Sequence, residues 1–118
     1  MPKKIMILED DEATAELMKF YMQEEGFQVA VSSRGSSFIT RVAEFQPDLI
    51  TLDVLLPDAD GFSIFKDLQQ DERTKTIPVI FVTVREDKDK GLKMGARGYI
   101  MKPFNEGELK GTIKSILG

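Results

Sequence analysis

The run Pro47-Asp48-Leu49-Ile50-Thr51-Leu52-Asp53-Val54-Leu55-Leu56-Pro57 decides the fold of this 118-residue chain. A near-continuous apolar stretch bounded by prolines suits a central parallel strand covered on both faces. Pro47 cannot donate to a ladder, so the strand begins after it, and Pro57 marks the loop beyond. Asp53 sits near the carboxyl end of that strand. In open α/β sheets this is the edge where ligands bind.

On either side, strands and helices alternate. Ile5-Met6-Ile7-Leu8 reads as a first strand ending on four acids, Glu9 to Glu12. A helix follows with Leu17 and Tyr21 on one face, and Gly26 stops it. Phe27 to Val31 is a short alternating strand. Ser36 or Ser37 caps a helix with the stripe Phe38, Ile39, Val42, Ala43 and Phe45. After the central strand, Asp58 to Gly61 is a turn, and Phe62 to Gln70 is a helix with Ile64, Phe65 and Leu68 inside. Pro78 to Thr83 is a fourth strand. Arg85 to Lys90 reads as the start of a fourth helix, with Glu86 and Lys90 as i,i+4 partners. Gly95 to Gly98 turns the chain into a fifth strand, Tyr99 to Met101. Asn105 with Glu108 opens a last helix, with Leu109, Ile113, Ile116 and Leu117 as its buried stripe. Five strand-helix units with right-handed crossovers predict a flavodoxin-like, doubly wound parallel sheet of order 2-1-3-4-5, helices on both faces. Residues 1–118 read as one domain.

Composition narrows the chemistry. The chain has no cysteine and no histidine, which excludes disulfides, thiolate or imidazole metal centres, a Ser-His-Asp triad and a histidine phosphoryl carrier within it. No apolar run approaches the ~20 residues of a membrane span, and the apolar stretch after Lys3-Lys4 stops at Glu9, so a cytoplasmic protein is expected. The net charge of −4 is uneven: residues 85–118 carry 8 basic and 5 acidic side chains, a net of +3, and the remainder carries −7. The acidic part disfavours nucleic acid.

With strands one and three adjacent, Glu9, Asp10 and Asp53 meet at one edge. Three gathered carboxylates repel unless a cation intervenes, and a hard ion such as Mg2+ takes one or two of them while leaving room for a phosphate oxygen. Thr83 ends strand four and Lys102 follows strand five. Acids, a hydroxyl and a cation at one edge form a constellation for handling a phosphoryl group. Asp58 and Asp60 are assigned to the turn, and Asp11 and Glu12 to the helix start.

These residues resemble the receiver domain of bacterial two-component response regulators, of the chemotaxis-regulator-like kind. The resemblance covers the whole chain. It rests on Leu8-Glu9-Asp10-Asp11, on Leu52 to Pro57 with Asp60-Gly61, on Val82-Thr83, and on Tyr99 to Phe104. It implies that Asp53 is the phospho-acceptor and that Glu9 and Asp10 form the acidic pair. The Leu55 backbone carbonyl would join Glu9, Asp10 and Asp53 around Mg2+. Lys102 would contact the phosphoryl group, Thr83 would move toward it, and Tyr99 would change rotamer. The Lys102-Pro103 bond is a candidate cis peptide.

The implied partners are a sensor histidine kinase or histidine phosphotransfer protein and a downstream effector domain or protein, with dimerisation on phosphorylation possible. Neither membrane nor direct nucleic-acid binding is implied. The output face would be the fourth helix, fifth strand and fifth helix. Two departures stand out: Val84 where the family commonly has a small residue, and apolar Leu55 where the side chain is often polar. Both suggest a long-lived aspartyl phosphate. Two readings compete. A phosphorylation-independent binding scaffold would dispense with part of this residue set. A flavin-binding or phosphatase-like enzyme would need a Ser/Thr/Gly-rich loop where this chain has four acids.

Overall fold

A computed structural model describes residues 2–118. Its elements alternate as β1 (Lys4–Leu8), α1 (Glu12–Glu24), β2 (Gln28–Ser32), α2 (Phe38–Phe45), β3 (Leu49–Leu52), α3 (Gly61–Gln70), β4 (Val79–Thr83), α4 (Lys88–Met94), β5 (Gly98–Met101) and α5 (Glu106–Leu117). The five strands are parallel in the order β2-β1-β3-β4-β5, as the sequence pattern predicts.

Successive strand side chains point to opposite faces, and two cores result. Met6, Leu8, Ile50, Leu52, Val79, Phe81 and Tyr99 pack with Phe38 and Val42 of α2 and Phe62, Phe65 and Leu68 of α3. Ile5, Ile7, Leu49, Ile80, Val82 and Ile100 pack with Met18 and Met22 of α1 and Leu109 and Ile113 of α5. Phe81 anchors the first core, with edge-on ring contacts to Phe62 at 5.1 Å and Phe65 at 5.5 Å. Among the described residues no helix is long and apolar enough to cross a membrane.

Local details differ from the sequence reading in four places. The buried stripe of α1 is Ala15, Met18 and Met22, whereas Leu17 is 43% exposed and Tyr21 half-buried. The helix docks through its methionines, which are adaptable in shape and fill the space over β1. Strand β2 shows no clean alternation, because it lies at the edge of the sheet with only β1 beside it. Helix α4 begins at Lys88, not Arg85: Arg85 pairs with Asp87 instead, and Lys90 lies over the Phe62 ring rather than pairing with Glu86. Ser37 holds the N-cap position of α2 in the left-handed region, φ 63°, without a side-chain cap bond. Asn105 caps α5 as expected, accepting the Glu108 N–H; Asp11 and Asp60 likewise accept from the Thr14 and Phe62 N–H groups, whereas Asp87 before α4 makes no side-chain cap bond.

Candidate functional site

The site forms where β1 and β3 end side by side. Leu8 and Leu52 are partners in register, and the next residue on each strand is an acid. The Asp53 N–H donates to the Leu8 carbonyl at 3.1 Å and the Glu9 N–H to the Ser32 carbonyl at 3.0 Å, so sheet-type bonding carries both backbones past the strand ends. Both side chains are buried, Glu9 at 3% and Asp53 at 5% exposure, while Asp10 is exposed at the mouth. One carboxylate oxygen from each of the three lies within 4.8 Å of the others.

Lys102, the first residue beyond β5, reaches back across the edge. Its backbone is fixed by an N–H bond to the Thr83 carbonyl at 2.9 Å, and the Lys102-Pro103 peptide is cis. The ammonium lies 2.5 Å from a Glu9 oxygen and 2.9 Å from an Asp53 oxygen. The buried Asp53 carboxylate is thus paired with a cation and lies beside two other acids. The remaining oxygens are engaged too: Asp53 Oδ1 accepts the Leu55 N–H at 3.1 Å, and Glu9 Oε2 accepts the Asp11 N–H at 3.0 Å.

The electrostatics follow from sharing one cation among several acids. Burial raises the Glu9 carboxyl above its ordinary value, and the bonds from Lys102 and the Asp11 N–H only partly offset this. Burial by itself would lower the Lys102 ammonium, but its two carboxylate partners outweigh it and the net shift is upward. Both groups shift upward for opposite reasons: two anions favour the charged form of Lys102, whereas burial, aided by the charge of Asp53, disfavours the charged form of Glu9 despite the cation it shares. The pocket is short of positive charge.

Glu9, Asp10 and Asp53 could hold a divalent cation, which would supply that charge. The three carboxylate oxygens are gathered closely enough for one or two of them to hold a small hard ion such as Mg2+, which would neutralise them. All-oxygen donors and the absence of any nitrogen or sulfur ligand fit a hard ion of this kind.

Thr83 and Tyr99 are placed differently. Thr83 continues the alternation of Val79 and Phe81, toward the α2 and α3 side, and is fully buried. Its hydroxyl accepts the Arg85 N–H at 3.2 Å rather than bonding to Asp53. Tyr99 is 8% exposed, its ring against Phe81 and its hydroxyl donating to the Arg85 carbonyl at 2.6 Å. The ring fits because α4 carries Gly91 there: a Cβ would lie 2.7 Å from the Tyr99 ring. Leu55 and Val84 are both exposed, at 49% and 58%. Val84 lines a groove of about 290 Å³ beside the acids with Thr14, Leu17, Lys102, Pro103 and Phe104.

Two roles were not legible in the spacing. Asp58, read as a turn residue, bonds across to the Gly35 and Ser36 N–H groups. The Arg85 carbonyl is the partner of the Tyr99 hydroxyl. Backbone partners so far away in sequence leave no local signal.

The family model described as the response regulator receiver domain matches residues 5–114. The chain is 38% identical to the transcriptional regulatory protein GltR of Pseudomonas aeruginosa, covering 98% of this chain and 49% of that protein. It is 36% identical to the phosphate regulon transcriptional regulatory protein PhoB of Escherichia coli, covering 99% and 52%. The chain thus spans about half the length of the curated relatives it matches. Among solved structures, the BeF3-activated N-terminal receiver domain of Klebsiella pneumoniae RstA superposes with a TM-score of 0.89 at 29% identity, covering 98% of each chain.

Proposed function

The chain belongs to the response regulator receiver domain family, and from that premise we propose that Asp53 is the phospho-acceptor of a two-component signalling switch, residues 1–118 acting as one receiver unit. The observation that carries this reading is the Lys102 ammonium bridging Asp53 and Glu9, with Asp10 alongside.

A carboxylate oxygen of Asp53 attacks the phosphorus of a phosphohistidine on a partner kinase or phosphotransfer protein. The new P–O bond forms as the P–N bond breaks, and the imidazole nitrogen keeps the electron pair. Lys102 neutralises charge on the transferred oxygens, and its pairing with Glu9 keeps it at the pocket. Glu9, Asp10, Asp53 and the Leu55 carbonyl would hold Mg2+, which screens the carboxylates from the incoming phosphate when bound. Slow attack of water on the same phosphorus returns the Asp53 carboxylate and releases inorganic phosphate.

The phosphoryl group adds charge and strong acceptors beside Thr83. The Thr83 hydroxyl then turns to donate its O–H to a phosphoryl oxygen, and its movement away from the Arg85 N–H loosens the Arg85 segment that also holds Tyr99. The α4-β5-α5 face is the output surface, toward an effector domain or protein or a second copy on phosphorylation. Such partners place the domain in the cytoplasm.

The test is incubation with acetyl phosphate and Mg2+ followed by intact mass. One phosphoryl adduct is expected, dependent on Mg2+ and lost in Asp53→Ala. No adduct in the parent protein, or an undiminished adduct in the variant, overturns the reading. The first outcome would favour a phosphorylation-independent scaffold.

A further inference from the structure

The loop from Val54 to Asp60 is closed on itself. The Gly61 N–H donates to the Val54 carbonyl at 2.8 Å, Leu55 and Asp60 form an antiparallel bridge, and Asp60 caps α3. Its tip is tied to a different element by Asp58, whose two carboxylate oxygens accept the successive N–H groups of Gly35 at 2.9 Å and Ser36 at 3.0 Å. The two loops are pressed together at this point, since a Cβ on Gly35 would lie 2.8 Å from both the Ala59 Cβ and the Ile64 Cδ1. The next residue, Ser37, is held in the left-handed region at φ 63°, a conformation that persists only where its surroundings enforce it. The Gly35 N–H chiefly, with that of Ser36, holds the Asp58 carboxyl below its ordinary value.

We propose that Asp58 is a positioning residue for the acid pocket: by anchoring the loop tip on the β2-α2 connection, it fixes the Leu55 carbonyl where a divalent cation binds. This rests on the Mg2+ site of the preceding section. Asp58 lies in the same closed loop as Leu55, three residues on. Releasing the tip leaves the Leu55 carbonyl positioned only by the bonds of its own loop and to Asp53, while Glu9, Asp10, Asp53 and Lys102 stay on their strand ends.

The experiment measures Mg2+ affinity of the phosphate-free protein by titration calorimetry, with adduct formation on Asp53 read separately by intact mass. Asp58→Ala is expected to weaken Mg2+ binding about tenfold, the low end for outer partners of metal ligands. At saturating Mg2+ its adduct should reach the parent level. Asp58→Asn keeps one acceptor oxygen, should fall between, and carries the test if the alanine variant does not fold. A purely structural role would lower the unfolding midpoint and leave the affinity alone. Unchanged Mg2+ affinity in both variants overturns the proposal, as does a parent protein that binds no Mg2+. If the parent binds Mg2+ and the variants lose it, but no adduct forms, the positioning role stands and the phosphoryl-acceptor reading falls.

Discussion

The ammonium of Lys102 and the carboxylate of Asp53, 49 positions apart in sequence, meet at 2.9 Å inside the pocket. Only 14% of the Lys102 side chain and 6% of the Asp53 side chain are exposed, so the pair is poorly screened and Glu9 depends on the same cation. Lys102→Met removes that cation and leaves two buried carboxylates facing each other. The expected cost is about 3 kcal/mol in urea unfolding. Mg2+ should restore more stability to the variant than to the parent, since it supplies the missing charge. An equal Mg2+ response in both would contradict the shared-cation account.

Glu9 sets a pH dependence of unusual sign. Its carboxyl is raised above 4.5 in the folded state, so the folded protein holds that proton more tightly than the unfolded chain does. Stability from this group therefore falls as pH rises from 4.5 through the folded value and is level above it. In Glu9→Gln that decline is absent. The stability difference, variant minus parent, should grow across this window in Mg2+-free buffer. A difference that is flat or shrinking would refute the assignment.

Tyr99 depends on Gly91 for its place. A Cβ at position 91 would lie 2.7 and 2.9 Å from Tyr99 ring carbons and 3.2 Å from the Phe81 ring. Gly91→Ala should expel the ring, break its bond to the Arg85 carbonyl and cost about 2 kcal/mol. In a Tyr99→Ala background the same substitution should cost far less, and the double-mutant cycle reads that coupling. Simple additivity would show that the two residues do not interfere.

The hydroxyl of Thr51 is buried at 1% exposure and has no hydrogen-bond partner among the described residues. Thr51→Val keeps the shape and removes the desolvated oxygen. A gain of about 1 kcal/mol is expected in urea unfolding, with phosphorylation unchanged. A loss of stability would mean that the hydroxyl has a partner after all.

Leu55 stands at the pocket mouth, its N–H on Asp53 and its side chain 49% exposed. An apolar group there gives attacking water nothing to bond to. Leu55→Asn should shorten the life of the aspartyl phosphate several-fold, followed as loss of the mass adduct after the phosphodonor is removed. An unchanged rate would dismiss the leucine as a barrier.

The sheet order, the strand spans to within a residue or two, and the meeting of Glu9, Asp10 and Asp53 were all legible in the sequence. A strand's period of two and the residue at its end are local properties, and strand-helix alternation with right-handed crossovers admits few topologies. Tertiary structure alone decided which stripe of α1 is buried, since Leu17 and Met18 compete equally until the sheet beneath selects one. The reach of Lys102 to the acid edge was expected from its place after β5, but tertiary structure alone turned the Thr83 hydroxyl to Arg85 and tied Asp58 to Gly35 and Ser36. Each of these depends on how separate layers come to rest against one another. The partners approach only after the chain has folded, so no periodicity or spacing along it encodes the contact.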